Sequence, residues 1–250
     1  MFIKIDNIKI ELEFNKASDK TLVFLHGFGG NLNNFSYFAK VFNLFGYSTL
    51  NINLTEYGFK SLDENFTIFD YSSIIFKIFK KLNLKNISLC GHSFGGRICL
   101  ILASMYKNMG INFEELILVD SAGIKPKFNL KTKIKILNYK FLKILVNLKL
   151  INKNFLLKFG SADYKTLPQN LKSVFNNVIK EDLKNLLNFI NLKTLIIFGK
   201  NDKDTPLYMA KILNKEIKNS KLIVLNAGHY SYLEHKNVFI NYVKNFLSNK

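Results

Sequence analysis

The chain has 250 residues, 48% of them hydrophobic, and a formal charge of +18. That length suits one α/β domain with an insertion, and the apolar content suffices for a sizeable core, which excludes wholesale disorder. No apolar run approaches the roughly 18–20 residues of a membrane span, and Met1-Phe2-Ile3-Lys4-Ile5-Asp6 lacks the apolar stretch of a signal peptide.

Phe2 to Ile5 and Lys9 to Phe14 alternate apolar and polar residues, the pattern of a hairpin at a sheet edge. Thr21-Leu22-Val23-Phe24-Leu25 is a continuous apolar run, as in a strand buried on both faces, and it enters the glycine-rich His26-Gly27-Phe28-Gly29-Gly30. Helical spacing from Asn33 to Phe45 stops at Gly46, and Tyr47 to Leu54 reads as the next strand. A polar connection through Glu64 leads to a helix from about Phe69 to Leu82. Asn86 to Cys90 is a short apolar strand, followed by Gly91-His92-Ser93-Phe94-Gly95-Gly96 and then a buried helix from Arg97 to Ala103. Leu116 to Asp120 and Leu195 to Phe198 are further strands. After Gly199-Lys200-Asn201-Asp202-Lys203-Asp204-Thr205-Pro206, Pro206 is placed to open a helix to about Lys218. Leu222 to Leu225 is the last strand, ending in Asn226-Ala227-Gly228-His229, and a helix closes the chain from Lys236 to Leu247.

Alternating strands and helices argue for a mostly parallel, doubly wound α/β sheet with helices on both faces. One stretch breaks the rhythm. Residues 122–178 hold no clear strand, and Ile134, Leu137, Phe141, Leu145 and Leu148 form a helical stripe. We read residues 122–178 as a helical cap inserted in a core of residues 1–121 and 179–250. The cap carries many lysines and no acid between Ser121 and Ala162.

Arg97 is the only arginine, whereas Lys, Asn, Ile and Phe, which share A/T-rich codons, are abundant; codon bias accounts for much of the positive charge. Nucleic-acid proteins lean on arginine for base and phosphate contacts, and no binding module is visible, so nucleic acid is not an expected partner. Cys90 and Cys99 flank the Ser93 turn in core elements and read as two buried thiols, which fits a reducing cytoplasm. No His or acid cluster has metal-ligand spacing, so neither a metal nor another cofactor is expected.

A strand that turns sharply into a helix strains the residue at the apex. Glycines two positions either side remove side chains that would collide there, and Ser93 then projects its hydroxyl from the strand end. A serine hydroxyl needs a base to take its proton and a third group to orient that base. His229 is the expected base and Asp202 the expected acid, each just beyond a strand. The backbone N–H groups of Phe28 and Phe94 are the expected donors to an oxyanion. His92 lines the pocket or serves structurally, and Tyr230 walls the pocket or simply packs. His26 is expected to brace its loop, Asp204 to be a solvated loop acid or helix cap, and His235 to lie at the surface.

These motifs, His26 to Gly30, Gly91 to Gly96, Gly199 to Pro206 and Gly228-His229, together resemble the α/β-hydrolase fold family over nearly the whole chain. Their order of nucleophile, acid and histidine is that of the family. Some members of that family place the acid after the strand that precedes the cap, which makes Asp120 the rival acid. The resemblance implies an eight-stranded sheet with a cap over the site. It also implies hydrolysis of carboxylic esters, or of thioesters with the same parts, through an acyl-enzyme on Ser93. The chain resembles as well the relatives that cleave carbon–carbon bonds in 2-hydroxy-6-oxo-dienoates, although those usually carry Asn at the position of His92 and an arginine in the cap. A non-catalytic binding scaffold is a third reading of the same fold. The Lys-rich cap suggests an acidic acyl carrier protein as a partner, beside a small ester or acyl substrate.

Overall fold

In a computed structural model, which describes residues 1–54, 65–105, 109–127, 130–148, 150–152 and 169–248, the chain builds one eight-stranded sheet. The strands are β1 (Phe2–Ile5), β2 (Ile8–Asn15), β3 (Lys20–Leu25), β4 (Ser48–Ile52), β5 (Asn86–His92), β6 (Asn112–Val119), β7 (Lys193–Gly199) and β8 (Ser220–Leu225). Their order is β1-β2-β4-β3-β5-β6-β7-β8. The β1–β2 and β2–β4 pairs are antiparallel and every other pair is parallel.

Parallel neighbours need crossovers, and the helices supply them. Helix α1 (Asn33–Leu44) follows β3, α2 (Ile68–Lys81) follows β4, and α3 (Phe94–Met105) follows β5. Between β6 and β7 lie α4 (Leu130–Asn147), α5 (Gln169–Lys180) and a 3₁₀ segment (Lys184–Phe189). Helix α6 (Leu207–Glu216) follows β7; after β8 come one turn, α7 (Ser231–Glu234), and α8 (Lys236–Ser248). The start of α2 is closed by a capping box in which Thr67 N donates to Asp70 Oδ2 at 2.8 Å and Asp70 N donates to Thr67 Oγ1 at 3.3 Å.

The period-2 alternation of the central strands sorts their side chains onto two faces. Val23, Leu25, Leu89, Leu116, Leu118, Ile196 and Phe198 face one core with α2, α3 and α6. Leu22, Phe24, Cys90, Ile117, Val119, Leu195 and Ile197 face the other with Phe35, Phe38 and Phe42 of α1 and Phe239 and Val243 of α8. This double burial is why β3, β5, β6 and β7 read as unbroken apolar runs rather than alternating ones.

The chain leaves β3 outward to β4, then returns across β3 to β5. The strand ends at that reversal are where open α/β sheets hold their ligands. The glycine-rich loop after β3 and the turn after β5 both lie there.

Two sequence expectations meet limits or change here. The Glu64 connection and part of the 122–178 segment fall outside the described residues. The apolar stripe of α4 does exist, but only Leu145 of it is half-buried; Ile134, Leu137, Phe141 and Leu148 are each more than half exposed. No helix among the described residues is long and apolar enough to cross a membrane.

Candidate active site

Ser93 sits at the junction of β5 and α3 with φ of 49°, in the left-handed region that a side chain enters only at a cost of about 1–3 kcal/mol. Its N–H donates to Val119 O at 3.1 Å, which anchors the turn to β6. The flanking glycines answer to close approach: a Cβ on Gly91 would meet the backbone carbon of Gly95 at 2.6 Å and Cys99 Sγ at 2.7 Å. Strand and helix pack too tightly there for any side chain.

His229 follows β8 and Asp202 follows β7. His229 Nε2 lies 3.0 Å from Ser93 Oγ, and His229 Nδ1 lies 2.8 Å from Asp202 Oδ2. Asp202 is 5% exposed, and every hydrogen bond to it comes from a donor. Its Oδ1 accepts from Asp204 N at 2.8 Å and Thr205 N at 2.9 Å, and its Oδ2 lies 2.6 Å from Thr205 Oγ1. Burial by itself would raise the Asp202 pKa. The hydrogen bonds from His229 and Thr205 outweigh it and hold the carboxyl below its ordinary value. Burial likewise pulls His229 down, but the bond to Asp202 and its charge prevail and raise the imidazole above the ordinary 6.5. The two shifts agree in sign with a mutually stabilising pair. A hydroxyl, an imidazole and a buried carboxylate in this line can pass a proton from Oγ to Nε2 while Nδ1–H stays bonded to the acid.

The rival acid stands elsewhere. Asp120, fully buried, accepts from Gly199 N at 2.7 Å, Ser231 N at 3.0 Å and Ser231 Oγ at 2.7 Å. It clasps the ends of β6 and β7 to the turn after His229. Burial pushes its pKa up to about 7, against the pull of those three bonds.

His92 is 1% exposed and its ring lies 4.9 Å from that of His229. Its Nε2 is 2.8 Å from His229 O, so Nε2–H donates to that carbonyl and braces the loop carrying His229. Desolvation holds its pKa down to about 3, which keeps the ring neutral. Tyr230 is 42% exposed, with its ring 5.1 Å from His92. His26 is buried with Nδ1 2.7 Å from Gly27 O, and its Nε2 accepts from Leu54 N at 2.9 Å. Asp204 is exposed, and His235 Nε2 lies 3.2 Å from Asn226 O.

The rings of Phe28 and Phe94 meet edge-to-face at 5.1 Å, so the two residues stand side by side. Among the described residues, neither backbone N–H donates to an acceptor. Asp202, Asp204 and His229 offer ligand atoms within 4.8 Å of one another, the geometry a metal ion would need. However, both Asp202 oxygens are already engaged by the four donors named above, which leaves them poorly suited to an ion.

Sequence reasoning passed over Thr205 and Ser231. The signal for Thr205 was the Asp-x-x-Thr-Pro run, in which Asp202 folds back onto the N–H groups two and three residues on, an Asx-turn ahead of a proline-started helix. Nothing local marked Ser231, whose partner is 111 residues away.

The family model described as the alpha/beta hydrolase fold matches residues 20–146. The chain is 30% identical to a pimeloyl-[acyl-carrier protein] methyl ester esterase of Wigglesworthia glossinidia brevipalpis, over 90% of this chain and 93% of that one. It is 27% identical to the AB hydrolase superfamily protein YisY of Bacillus subtilis over 87% of each. Among solved structures, an esterase from Exiguobacterium antarcticum superposes with a TM-score of 0.76 at 22% identity, covering 99% of both chains. The eight-stranded, mostly parallel sheet and these likenesses agree: the chain belongs to the α/β hydrolase fold family.

Proposed function

We propose that this protein is a serine hydrolase that cleaves carboxylic esters. The line Ser93 Oγ to His229 Nε2 at 3.0 Å and His229 Nδ1 to Asp202 Oδ2 at 2.8 Å carries the reading. Ser93 attacks the acyl carbon as His229 takes its proton. Asp202 orients the imidazole and stabilises it once charged. The unbonded N–H groups of Phe28 and Phe94 receive the oxyanion, and α3 adds its N-terminal dipole behind Phe94. His229 returns the proton to the leaving alcohol, and water then releases the acid from Ser93. The segment 122–178 serves as the cap over a core of residues 1–121 and 179–250. The free, buried Cys90 and Cys99 fit a reducing cytoplasm.

The test is hydrolysis of a p-nitrophenyl ester series from acetate to long acyl chains, by wild type and Ser93→Ala, with a ring-fission dienoate followed in parallel. Ser93-dependent ester turnover with little dienoate cleavage is expected. Dienoate turnover far above ester turnover would replace the reading with carbon–carbon hydrolysis.

The pH profile has a stated sign. His229 must be neutral to accept a proton, and Asp202 raises its pKa. The acid limb of kcat/KM should therefore have its midpoint above the ordinary 6.5. A midpoint at or below that value contradicts the coupling. Thr205→Val removes the hydroxyl 2.6 Å from Asp202 Oδ2. A hydrogen bond to a charged group is worth about 1.5–3 kcal/mol, so kcat should fall by about 10- to 100-fold and the acid limb should move. An unchanged rate and profile would make Thr205 a bystander.

The cap favours a second, narrower reading: the ester is carried on an acidic acyl carrier protein. Helix α4 exposes Ile134, Leu137, Phe141 and Ile144, with Leu148 just past its end, beside the exposed Lys140 and Lys143. No acid intervenes between Ser121 and Ala162. The pimeloyl-[acyl-carrier protein] methyl ester esterase relative points the same way. Turnover of a carrier-bound methyl ester should fall steeply between low and high salt while p-nitrophenyl acetate hydrolysis does not. Equal salt responses remove the carrier from the reading.

A further inference from the structure

Of the 36 lysines and arginines in this protein, all but one are lysine. The exception, Arg97, lies one helical turn beyond Ser93 on α3 and is 3% exposed. Its Nη1 donates to Glu181 O at 2.8 Å and its Nη2 to Ile179 O at 3.3 Å. These carbonyls belong to the last turn of α5 and the residue just past it, where a helix presents unpaired oxygens and the negative end of its dipole. A lysine cannot substitute: its ammonium is a strongly hydrated point charge, whereas the planar guanidinium reaches two carbonyls at once and is shed of water more readily. Desolvation draws the Arg97 pKa down to about 10, with the neighbouring Asp182 and Glu181 charges opposing, so the group remains charged at neutral pH.

The same corner is stitched by backbone. Leu183 N donates to Gly123 O at 2.8 Å, joining the segment that leaves β6 to the one that follows α5. Gly123 has φ of 136°, and a Cβ there would meet Leu100 Cδ1 of α3 at 2.6 Å. Above this neck α5 buries Val174 and Val178. Phe175, one turn before Ile179, sets its ring edge-to-face on Phe28 at 5.0 Å. Phe28 in turn meets Phe94 at 5.1 Å, and Phe94 meets Tyr71 at 5.0 Å. A ring stack thus runs from α5 to the two residues whose N–H groups face no acceptor.

We infer that Arg97 is a positioning residue: by pinning the end of α5 to the helix that starts at Ser93, it seats Phe175 on Phe28 and so sets the loop that presents the Phe28 amide. The inference rests on the oxyanion role proposed for that amide. It makes the cap's return helix part of the catalytic geometry and not only a cover. A donor misplaced by about 1 Å can cost up to 10²-fold in rate.

The experiment is a double-mutant cycle of Arg97→Lys and Phe175→Ala, each assayed for kcat and KM on p-nitrophenyl butyrate well below its melting temperature. Hydrogen exchange of residues 26–30 is measured alongside. Each single variant should lose about 10-fold in kcat with KM little changed, since an oxyanion donor acts in the transition state. The double variant should be no slower than the slower single one, because both changes break one connection. Amides of the 26–30 loop should exchange faster in both variants. Additive losses in the cycle, or lowered thermal stability with kcat and loop exchange unchanged, would overturn the inference and leave Arg97 a structural clamp. Loop exchange does not depend on turnover. Faster exchange without any Ser93-dependent ester hydrolysis in wild type would therefore keep the Arg97–Phe28 connection and sink the esterase reading instead.

Discussion

Ser93→Ala should lower kcat for p-nitrophenyl esters by about 10⁴–10⁶-fold and leave a folded protein. Members of a nucleophile–base–acid line act as a unit, so loss of the nucleophile removes nearly all that the line contributes, leaving only what binding and oxyanion donors supply. The turn itself gives a second readout. At φ of 49° an alanine keeps the Cβ strain of about 1 kcal/mol that a glycine lacks. Ser93→Gly should therefore melt above Ser93→Ala, with both inactive. Substantial turnover by either variant would mean that Ser93 is not the nucleophile. A glycine variant that melts lower would mean the strain at the turn is not what the backbone angle suggests.

The second large effect separates two carboxylates that the sequence left as rivals. Asp202→Asn should cost about 10⁴-fold in kcat with a small change in melting temperature, because an amide favours the wrong imidazole tautomer at His229 Nδ1. Asp120→Ala should do the reverse. It strands the buried Gly199 N–H, the Ser231 N–H and the Ser231 hydroxyl, and each unsatisfied group costs about 1–3 kcal/mol, so the protein should lose roughly 3 kcal/mol or more of stability. Its kcat, measured where it is folded, should stay within about 10-fold of wild type. If Asp120→Ala abolishes turnover in a folded protein and Asp202→Asn does not, the assignment of the acid is reversed.

Local features made most of the sheet readable. Buried parallel strands such as β3 and β7 announce themselves as unbroken apolar runs, and β1 and β2 as alternating ones, because burial of each strand's own faces leaves a period in its own residues. The turn at Ser93 was legible in part for the same reason: the collision that Gly91 avoids is with Gly95, four residues on, whereas the one Gly95 avoids, with the Leu25 carbonyl at the end of β3, is set by the tertiary fold. Helix α5 was not legible, since the 122–178 stretch carries an apolar stripe with no strand to bound it, and the six-residue 3₁₀ segment beyond it is too short to show a period. The direction that stripe faces was not legible either, and α4 turns most of it outward.

The sequence by itself determined the eight strands and the helices between them outside the 122–178 region, and that a serine, a histidine and two acids each stand just past a strand. Only the tertiary structure decided which acid meets the histidine, that His92 holds His229 by its carbonyl, and what the lone arginine grips. Asp202 and His229 are 27 residues apart, His92 and His229 137, and Arg97 and Glu181 84. Periodicity reports what one element buries. Distances between loops on different strands depend on strand order and register, which no local pattern encodes.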